Sequence, residues 1–389
     1  MTMSKLVFMT NSLAAGGAEK VITVLLNKLS KLGTDVELIC LEHNDFYHLS
    51  EDIKRTYLSG FTGKEGGVKK LFTIPLLAWR LKQYIKKEKI TLVQSHIYRS
   101  NYINILAKLF GSFHNVQIVN AGTMSKYEKE GILGKINLLL IKYLYPKADL
   151  IILKSLGMQY DMQKLFNFKC KNIVINNPYE IEKIEHLKKE DIDNFDFRDD
   201  KKYLISVGRF ETFKRQDFII RSVKNLINTK EIELILIGDG IKKDKLIQLS
   251  KELGVDSKIH FLGRVSNPYK YIARSDVYIL SSENGEGFPN VLVESMICKT
   301  PVVSSDCMSG PREILAPDTN VNFQLKEGVE KAKYGILFSI GDINSLSRAI
   351  IEILNNKELE KTYREKAYQR AQDFSVDKII EQYKKVLNV

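Results

Sequence analysis

The chain has 389 residues, enough for about two domains, and its 44% hydrophobic and 27% charged residues exclude disordered, collagen-like and coiled-coil proteins. No apolar run reaches the ~20 residues of a membrane-spanning helix, and the four cysteines show no metal-ligand spacing. The net charge is +12, and residues 1–178 carry the whole surplus, with 25 basic and 13 acidic residues.

The first part of the chain alternates short apolar runs with helical patterns. The predicted strands are 5–10, 36–41, 92–95, 116–120, 150–153 and 173–175. The predicted helices are 17–32, 76–87, 102–110 and 132–145. Since alternating strands and helices form a parallel sheet covered on both faces, we predict that residues 1–178 form one Rossmann-like α/β domain.

An acidic stretch with little apolar periodicity follows, and we interpret residues 179–200 as a linker that includes a short helix. The same alternation then restarts. The predicted strands are 203–207, 233–237, 259–262, 277–280 and 301–304. The predicted helices are 216–228, 244–253, 268–274, 290–297, 343–354 and 358–374. Residues 201–374 are therefore predicted to form a second Rossmann-like domain, and residues 375–389 a C-terminal helix.

Two loops at the ends of predicted strands have residues suited to binding an anion. In the first loop the adjacent Gly16 and Gly17 open a helix, so backbone N–H groups could approach an anion, although a simple turn is the alternative. In the second, Arg209 and Lys214 are placed where two cations can clamp a diphosphate. The alternative for this pair is that both side chains are merely solvated.

A third loop carries two carboxylates eight residues apart. Glu286 lies between glycines, and Glu294 lies inside the helix that follows. A carboxylate in such a loop can accept hydrogen bonds from sugar hydroxyls, and one a little further on can chelate a ribose diol. The loop glycines also allow the first N–H groups of the helix to face an anion. Two solvated carboxylates are the alternative interpretation.

These motifs occur together with two others. The two are Gly238-Asp-Gly240 and Phe261-Leu-Gly-Arg264. In this combination the chain resembles the retaining, nucleotide-sugar-dependent glycosyltransferases of the GT-B fold (family four), most clearly over residues 200–345. The resemblance implies two Rossmann-like domains that face each other across a cleft, with a C-terminal helix that returns to the first domain. Sugar phosphorylases and epimerases share this architecture, but their characteristic sites are not recognisable in the chain.

The resemblance also assigns roles to matching residues. Glu286 would hold the transferred sugar, Arg209 and Lys214 would bind the diphosphate, and Glu294 would bind ribose. The other donor-binding residues that it implies are Gly16, Gly17, Arg264, Val265, Phe288, Pro289, Asn290, Val291 and Leu292. His96 fits a position that faces the sugar, with a histidine merely packed at a strand end as the alternative. A second position, often histidine in the family, falls at Asn120, which we assign to the acceptor side.

The implied mechanism is front-face attack. The acceptor hydroxyl would approach from the side on which the nucleotide leaves, and the leaving diphosphate would take its proton. Two cations and a helix N-terminus would stabilise the growing charge, so the resemblance implies no metal and no cofactor. Residues 304–313 are similar to a loop of family members that use UDP-hexoses or UDP-N-acetylhexosamines, so we expect a UDP-sugar donor. The alternative is a catalytically degenerate nucleotide-binding subunit of a glycan-assembly complex.

The basic surplus points to a further partner. Residues 69–89 mix seven basic residues with apolar and aromatic ones, a pattern that suits an anionic membrane, a solvated helix face or nucleic acid. No nucleic-acid-binding motif is present, so we expect no nucleic acid. With the lysines of residues 126–147, the resemblance favours a lipid-linked glycan acceptor and an anionic inner-leaflet surface. Because no signal-peptide pattern is found, we expect a cytoplasmic protein peripherally associated with the inner face of the cytoplasmic membrane.

Overall fold

The computed structural model describes residues 5–227 and 230–389, so Asn228, at the end of the predicted helix 216–228, lies outside the described residues. The chain divides into two compact units, Met1–Tyr179 with Val376–Val389, and Glu180–Ser375. Within the described residues, no helix has the length and hydropathy needed to cross a lipid bilayer.

The first unit is built on seven strands. They are β1 (Leu6–Thr10), β2 (Val36–Glu42), β3 (Lys54–Phe61), β4 (Leu92–His96), β5 (Asn115–Val119), β6 (Leu150–Leu153) and β7 (Asn172–Val174). The helices between them are α1 (Gly17–Lys31), α2 (Gly67–Phe72), α3 (Ile74–Glu88), α4 (Tyr98–Leu109), α5 (Gly131–Leu144) and α6 (Leu156–Phe166). The strands pair in parallel in the order β3-β2-β1-β4-β5-β6-β7, which is the doubly wound arrangement of a Rossmann-like fold.

Burial explains which strands of this unit the sequence predicts. Strands β1 and β2 are buried along their whole length, since helices cover both faces of the sheet, and both are mostly apolar, although β2 also contains Glu37 and Glu42. Strand β3 was not predicted. It lies at the edge of the sheet, only Leu58 is buried in it, and its polar and charged residues hide the strand pattern.

The second unit contains a similar sheet. Its strands are β8 (Lys202–Val207), β9 (Ile232–Ile237), β10 (Ile259–Gly263), β11 (Val277–Leu280), β12 (Val302–Ser305), β13 (Val329–Ala332) and β14 (Gly335–Phe338). Its helices are α7 (Ile181–Leu187), α8 (Gln216–Leu226), α9 (Lys243–Glu252), α10 (Tyr269–Arg274), α11 (Asn290–Ile297), α12 (Pro311–Leu315), α13 (Ile343–Asn355) and α14 (Lys357–Ala371). The order is β10-β9-β8-β11-β12-β14-β13, with only the terminal β13 antiparallel. Two Rossmann-like units confirm the predicted fold class.

The last helix, α15 (Val376–Leu387), belongs to the first unit although it follows the second in sequence. Its apolar face packs against the core of β1 and α1, and Ile379, Ile380 and Tyr383 are fully buried there. The return of the C-terminal helix to the first unit is therefore confirmed.

The segment that we interpret as a linker with a short helix packs within the second unit. Residues 180–200 belong to the second unit, and the short helix α7 begins there. Ile181 and Ile184 are buried because their spacing of three places both on one helix face. Lys188 Nζ donates to Ile297 O at 3.2 Å, and Asn267 Nδ2 donates to Leu187 O at 2.7 Å. The many charged residues of this stretch mask these two apolar anchors.

Candidate active site

In the second unit, two side chains 72 residues apart in sequence meet at the carboxyl ends of neighbouring strands. Lys214 follows β8, and Glu286 follows β11, which pairs with β8. Lys214 Nζ donates to Glu286 Oε1 at 2.6 Å, and Ser282 Oγ donates to the same oxygen at 2.5 Å. Both ionic groups are largely buried. Oε2 of Glu286 makes no hydrogen bond to any described residue, so it can accept one from a ligand.

Arg209 lies on the same loop as Lys214 and is exposed to solvent. The Arg209 backbone carbonyl accepts a hydrogen bond from Gln216 Nε2 at 3.1 Å, which fixes the loop at the start of α8. Within residues 5–227 and 230–389, the Arg209 guanidinium forms no ion pair and no hydrogen bond. Its five N–H donors therefore stay available for an anionic ligand.

The Gly-Asp-Gly motif after β9 supports this loop. A Cβ atom on Gly238 would lie 1.9 Å from the carbonyl oxygen of Gly208, and one on Gly240 would lie 2.6 Å from that of Phe210. Glycine is needed at both positions because the two backbones touch. Arg264, after the edge strand β10, is exposed, with its Nε 3.9 Å from Asp239 Oδ2. The structure thus places Arg264 and the half-buried Val265 on the β10–β9 side of the sheet edge.

The loop that leads into α11 is held in place by Ser309 and Gly310, which lie in the segment 304–313 that the sequence analysis singles out. Ser309 Oγ donates to Gly287 O at 2.8 Å. A Cβ atom on Gly310, whose φ is +94°, would come within 2.4 Å of Pro289 Cδ. Phe288 is buried with its ring 5.1 Å from that of Phe374. Residues 287–289 are therefore fixed in place immediately before the N-terminus of α11.

Helix α11 contains further residues that the sequence analysis predicts to contact the donor. It begins at Asn290, and Val291 presents its backbone N–H at the helix N-terminus, where an anion is favoured, whereas Leu292 N donates to Pro289 O at 3.2 Å. Glu294 lies one turn into the helix and is buried. A carboxylate buried beside a helix N-terminus is an unusual placement that suits recognition of a polar ligand.

A buried ion pair anchors the loop that contains Ser309 and Gly310. Arg312 donates through NH2 to Asp306 Oδ2 at 2.6 Å and to Glu330 Oε2 at 2.8 Å. Arg312 and Asp306 are both almost completely buried. Asp306 Oδ2 also accepts a hydrogen bond from Leu325 N at 2.7 Å. The network ties three parts of the second unit together beneath residues 287–289.

In the first unit, Gly16 caps helix α1 in an extended conformation, and its carbonyl accepts a hydrogen bond from Lys20 N at 3.0 Å. Gly17 is the first residue of the helix. A Cβ atom on Gly16 would meet only the flexible side chain of Glu19. The loop therefore starts α1 as predicted, but the surrounding protein atoms do not by themselves demand glycine at position 16.

His96 ends strand β4 and is buried. Its Nε2 lies 3.1 Å from Gln94 Oε1, while Gln94 Nε2 donates to Gln117 Oε1 at 2.8 Å. Since a carbonyl oxygen can only accept, His96 Nε2 carries the proton. Burial lowers the pKa of His96 well below 6.5, and the charge of Lys154 acts in the same direction, so the ring is neutral at pH 7. Nδ1 bonds to no described residue and can accept from a ligand.

Asn120 follows β5 and is buried. Its Nδ2 donates to Gly122 O at 2.9 Å, which closes a short turn. Its Oδ1 is also buried, and it has no hydrogen-bond partner among the described residues. Leaving a buried acceptor unpaired is costly, so this amide is a place where a ligand group or a water molecule would gain a hydrogen bond.

One buried charged group near this edge was missed by sequence reasoning. Lys154 directly follows β6, and its Nζ donates to the hydroxyl of Tyr383 on α15 at 2.5 Å. Burial lowers the pKa of Lys154 to about 7. The only sequence signal is its position directly after the apolar run of β6, because lysines are ordinarily exposed.

Comparison with known proteins shows the family to which the chain belongs. The family model for glycosyl transferases group 1 matches residues 188–370, and that for glycosyltransferase family 4 matches residues 15–183. A Campylobacter jejuni relative, N-acetylgalactosamine-N,N'-diacetylbacillosaminyl-diphospho-undecaprenol 4-alpha-N-acetylgalactosaminyltransferase, is 33% identical over 379 residues, which cover 97% of each chain.

Two further proteins are similar over almost the whole chain. A second C. jejuni protein, an alpha-1,4-N-acetyl-D-galactosaminyltransferase whose name includes GalNAc-alpha-(1->4)-GalNAc-alpha-(1->3)-diNAcBac-PP-undecaprenol, is 25% identical over 395 residues, covering 99% of this chain and 98% of its own. The Anabaena protein HepE, solved in complex with UDP, is 19% identical and superposes with a TM-score of 0.74 over 99% of both chains. The chain therefore belongs to the glycosyltransferases of group 1 and family 4, and its fold is GT-B.

Proposed function

We propose that this glycosyltransferase moves a hexose or N-acetylhexosamine from a UDP-sugar to a polyprenyl-diphosphate-linked glycan, with retention of the anomeric configuration. The reaction would serve the synthesis of a cell-surface polysaccharide or glycoconjugate. The observation that carries the proposal is the buried Lys214–Glu286 pair at 2.6 Å, with the unpaired guanidinium of Arg209 on the same loop. Both Campylobacter relatives carry diphospho-undecaprenol or PP-undecaprenol in their names, and HepE was solved with UDP, which supports the two substrate classes.

The donor would be held mainly by the second unit. Glu286 Oε2 accepts hydroxyl hydrogen bonds from the transferred sugar, and Arg209 and Lys214 bind the diphosphate. Lys214 is suited to this because its ammonium has three donors, of which Glu286 takes one. The N-terminal N–H groups of α11 add positive potential for the phosphates. Glu294 would bind ribose, and Arg264 and Val265 would flank the base.

The chemical step follows from these positions. The acceptor hydroxyl oxygen forms a bond to the anomeric carbon on the face from which UDP departs, while the bond from that carbon to the phosphate oxygen breaks. The departing phosphate oxygen takes the hydroxyl proton. Arg209 and Lys214 stabilise the negative charge that grows on UDP, and Glu286 stabilises positive charge on the sugar. With two cations in this role, we expect activity without a metal or other cofactor.

The first unit contributes further predicted contacts. His96 is proposed to accept a hydrogen bond from the sugar through Nδ1, Gly16 and Gly17 to approach the donor phosphate, and Asn120 to act on the acceptor side. We also propose that the protein works in the cytoplasm at the inner face of the membrane. The basic surplus of residues 1–178 and a lipid-linked acceptor both support that location.

A nucleotide-binding experiment tests the donor site. A ligand at 100 times its dissociation constant stabilises the folded state by about 2.7 kcal/mol, which a thermal-shift assay detects. UDP should raise the melting temperature of the wild type in EDTA, and Lys214→Ala should lose most of that rise. Lys224→Ala, an exposed lysine of α8 in the same unit, is the matched control and should keep it. No response to UDP would reject the proposed donor. Binding without transfer would favour a degenerate nucleotide-binding subunit.

A further inference from the structure

Helices α2 and α3 expose a stripe of large apolar side chains. Two of its members lie four residues apart on α2 and two lie three residues apart on α3, so each pair shares one face of its own helix. They are Val68, Phe72, Leu76 and Trp79, between 49% and 80% exposed. The opposite face of α3 supplies the core through Ile74, Leu77, Ala78, Leu81 and Ile85. The side chains of the stripe therefore do not contribute to the hydrophobic core of the unit.

Helix α5 has the same property more strongly. It contains eight leucines and isoleucines among its 14 residues, yet only Gly134, Ile141 and Leu144 are buried. Ile132, Leu133, Leu139 and Tyr143 are between 56% and 79% exposed. An apolar helix that leaves most of its surface uncovered indicates an interaction surface.

The two stripes lie on the same side of the first unit. Helices α3, α4 and α5 connect β3, β4, β5 and β6 in succession, and right-handed crossovers in one direction place all three on one face of the sheet. Their buried residues share one core cluster. Lys82 of α3 donates to Phe110 O at 2.6 Å, just after α4, and Tyr102 of α4 donates to Asn137 Oδ1 of α5 at 3.2 Å. Helices α3 and α5 thus flank α4, which is mostly buried.

The charges on α2, α3 and α5 indicate what kind of partner binds to these helices. Helices α2 and α3 carry six basic residues and one acidic residue, and α5 carries two basic residues and no acidic one. A second copy of this face would bring like charges together. An anionic bilayer instead attracts the lysines while the apolar side chains between them enter the acyl boundary, as in interfacial amphipathic helices.

We propose that the exposed stripes of α2–α3 and α5 form one membrane-docking face, which lies flat on an anionic bilayer with Trp79 and Ile132 inserted. The inference rests on the proposed membrane association and deepens it by naming the surface that binds. In this arrangement other exposed apolar residues stay in water. Phe113, in the turn after α4, is 96% exposed, and Ile241, in the second unit, is 77% exposed.

Trp79 gives a direct test because it is the chain's single tryptophan. The full-length protein is mixed with phosphatidylglycerol–phosphatidylcholine vesicles or with phosphatidylcholine vesicles, and both vesicle flotation and tryptophan emission are recorded. We expect flotation with the anionic vesicles only, a blue shift of the Trp79 emission, and quenching by brominated acyl chains. Flotation without any change in Trp79 emission would overturn the docking face while leaving membrane association intact. Absence of flotation would overturn the association itself.

Matched variants test the second stripe. Ile132→Ser with Leu139→Ser should lower the vesicle partition coefficient by about tenfold, because both side chains would leave the acyl boundary. Phe113→Ser with Ile241→Ser removes a comparable exposed apolar area and should leave partitioning within about twofold. Thermal unfolding of each variant checks that the fold is retained. Equal losses in the two pairs, or a loss only in the second pair, would contradict the proposed face.

Discussion

Replacement of the buried Lys154 by methionine should stabilise the first unit at neutral pH. Burial lowers the pKa of Lys154 from 10.5 to about 7. Between those values the unfolded chain binds a proton that the folded chain does not, so the free energy of unfolding falls as the pH falls from 10.5 to about 7. At about 1.4 kcal/mol per pH unit the cost reaches about 5 kcal/mol at pH 7. Loss of the hydrogen bond to Tyr383 offsets about 1 kcal/mol of the gain.

Urea unfolding followed by Trp79 fluorescence reports on this unit and gives the test. Lys154→Met should be more stable than the wild type at about pH 7, by at most about 4 kcal/mol, and the difference should shrink towards about pH 10. Lys164→Met, at an exposed position of α6, should change neither the stability nor its pH dependence. A Lys154→Met protein that is less stable at neutral pH, with the wild-type pH dependence, would refute the argument that burial of this charge is costly.

Two further predictions concern the support of the donor loop. Gly310→Ala should weaken UDP binding and lower the melting temperature, since the new Cβ would overlap Pro289. Gly328→Ala is the control, because Gly328 is also at positive φ but has no atom within 4 Å of an added Cβ. It should lower the free energy of unfolding by only about 1 kcal/mol of backbone strain and leave the UDP affinity unchanged in calorimetry. Equal losses of UDP affinity in the two variants would contradict this role of Gly310. Arg312→Leu should lower the free energy of chemical unfolding by about 3–5 kcal/mol, because it leaves the buried Asp306 carboxylate without its cation. Lys333→Met removes only the exposed ion pair with Asp318 and should leave the stability unchanged. An Arg312→Leu protein as stable as the wild type would contradict the role of this network.

Much of the fold could be predicted because the central strands of both sheets are mostly apolar runs. The carboxyl ends of such strands converge on one edge, which is why Lys214 and Glu286 could be expected near each other although 72 residues separate them. Residue spacing cannot show which oxygen of Glu286 is free to bind a ligand. In the structure Oε1 accepts from Lys214 and Ser282, while Oε2 has no partner among the described residues.

The features missed from the sequence are those in which tertiary context overrides local pattern. Strand β3 is an edge strand with a single buried residue, and the burial of Ile181 and Ile184 on the short helix α7 is masked by the acidic residues around them. The buried Lys154 and Arg312 look like ordinary surface cations in the sequence. Tyr383, the partner of Lys154, lies 229 residues away, and no local pattern marks Asp306 and Glu330, six and 18 residues from Arg312, as its partners. Only packing distinguishes the two cations from the many solvated lysines and arginines.

The measurement that tests the central claim most directly is transfer from a UDP-sugar panel to a synthetic polyprenyl-diphosphate-linked glycan in EDTA, with the anomeric configuration of the product read by NMR. We predict one UDP-sugar to be transferred with retention. Lys214→Ala should lower kcat by about 10²–10³, since it removes charge stabilisation of the leaving UDP, while Lys224→Ala should behave as wild type. An inverted product, or UDP-sugar binding with no transfer to any such acceptor, would contradict the account.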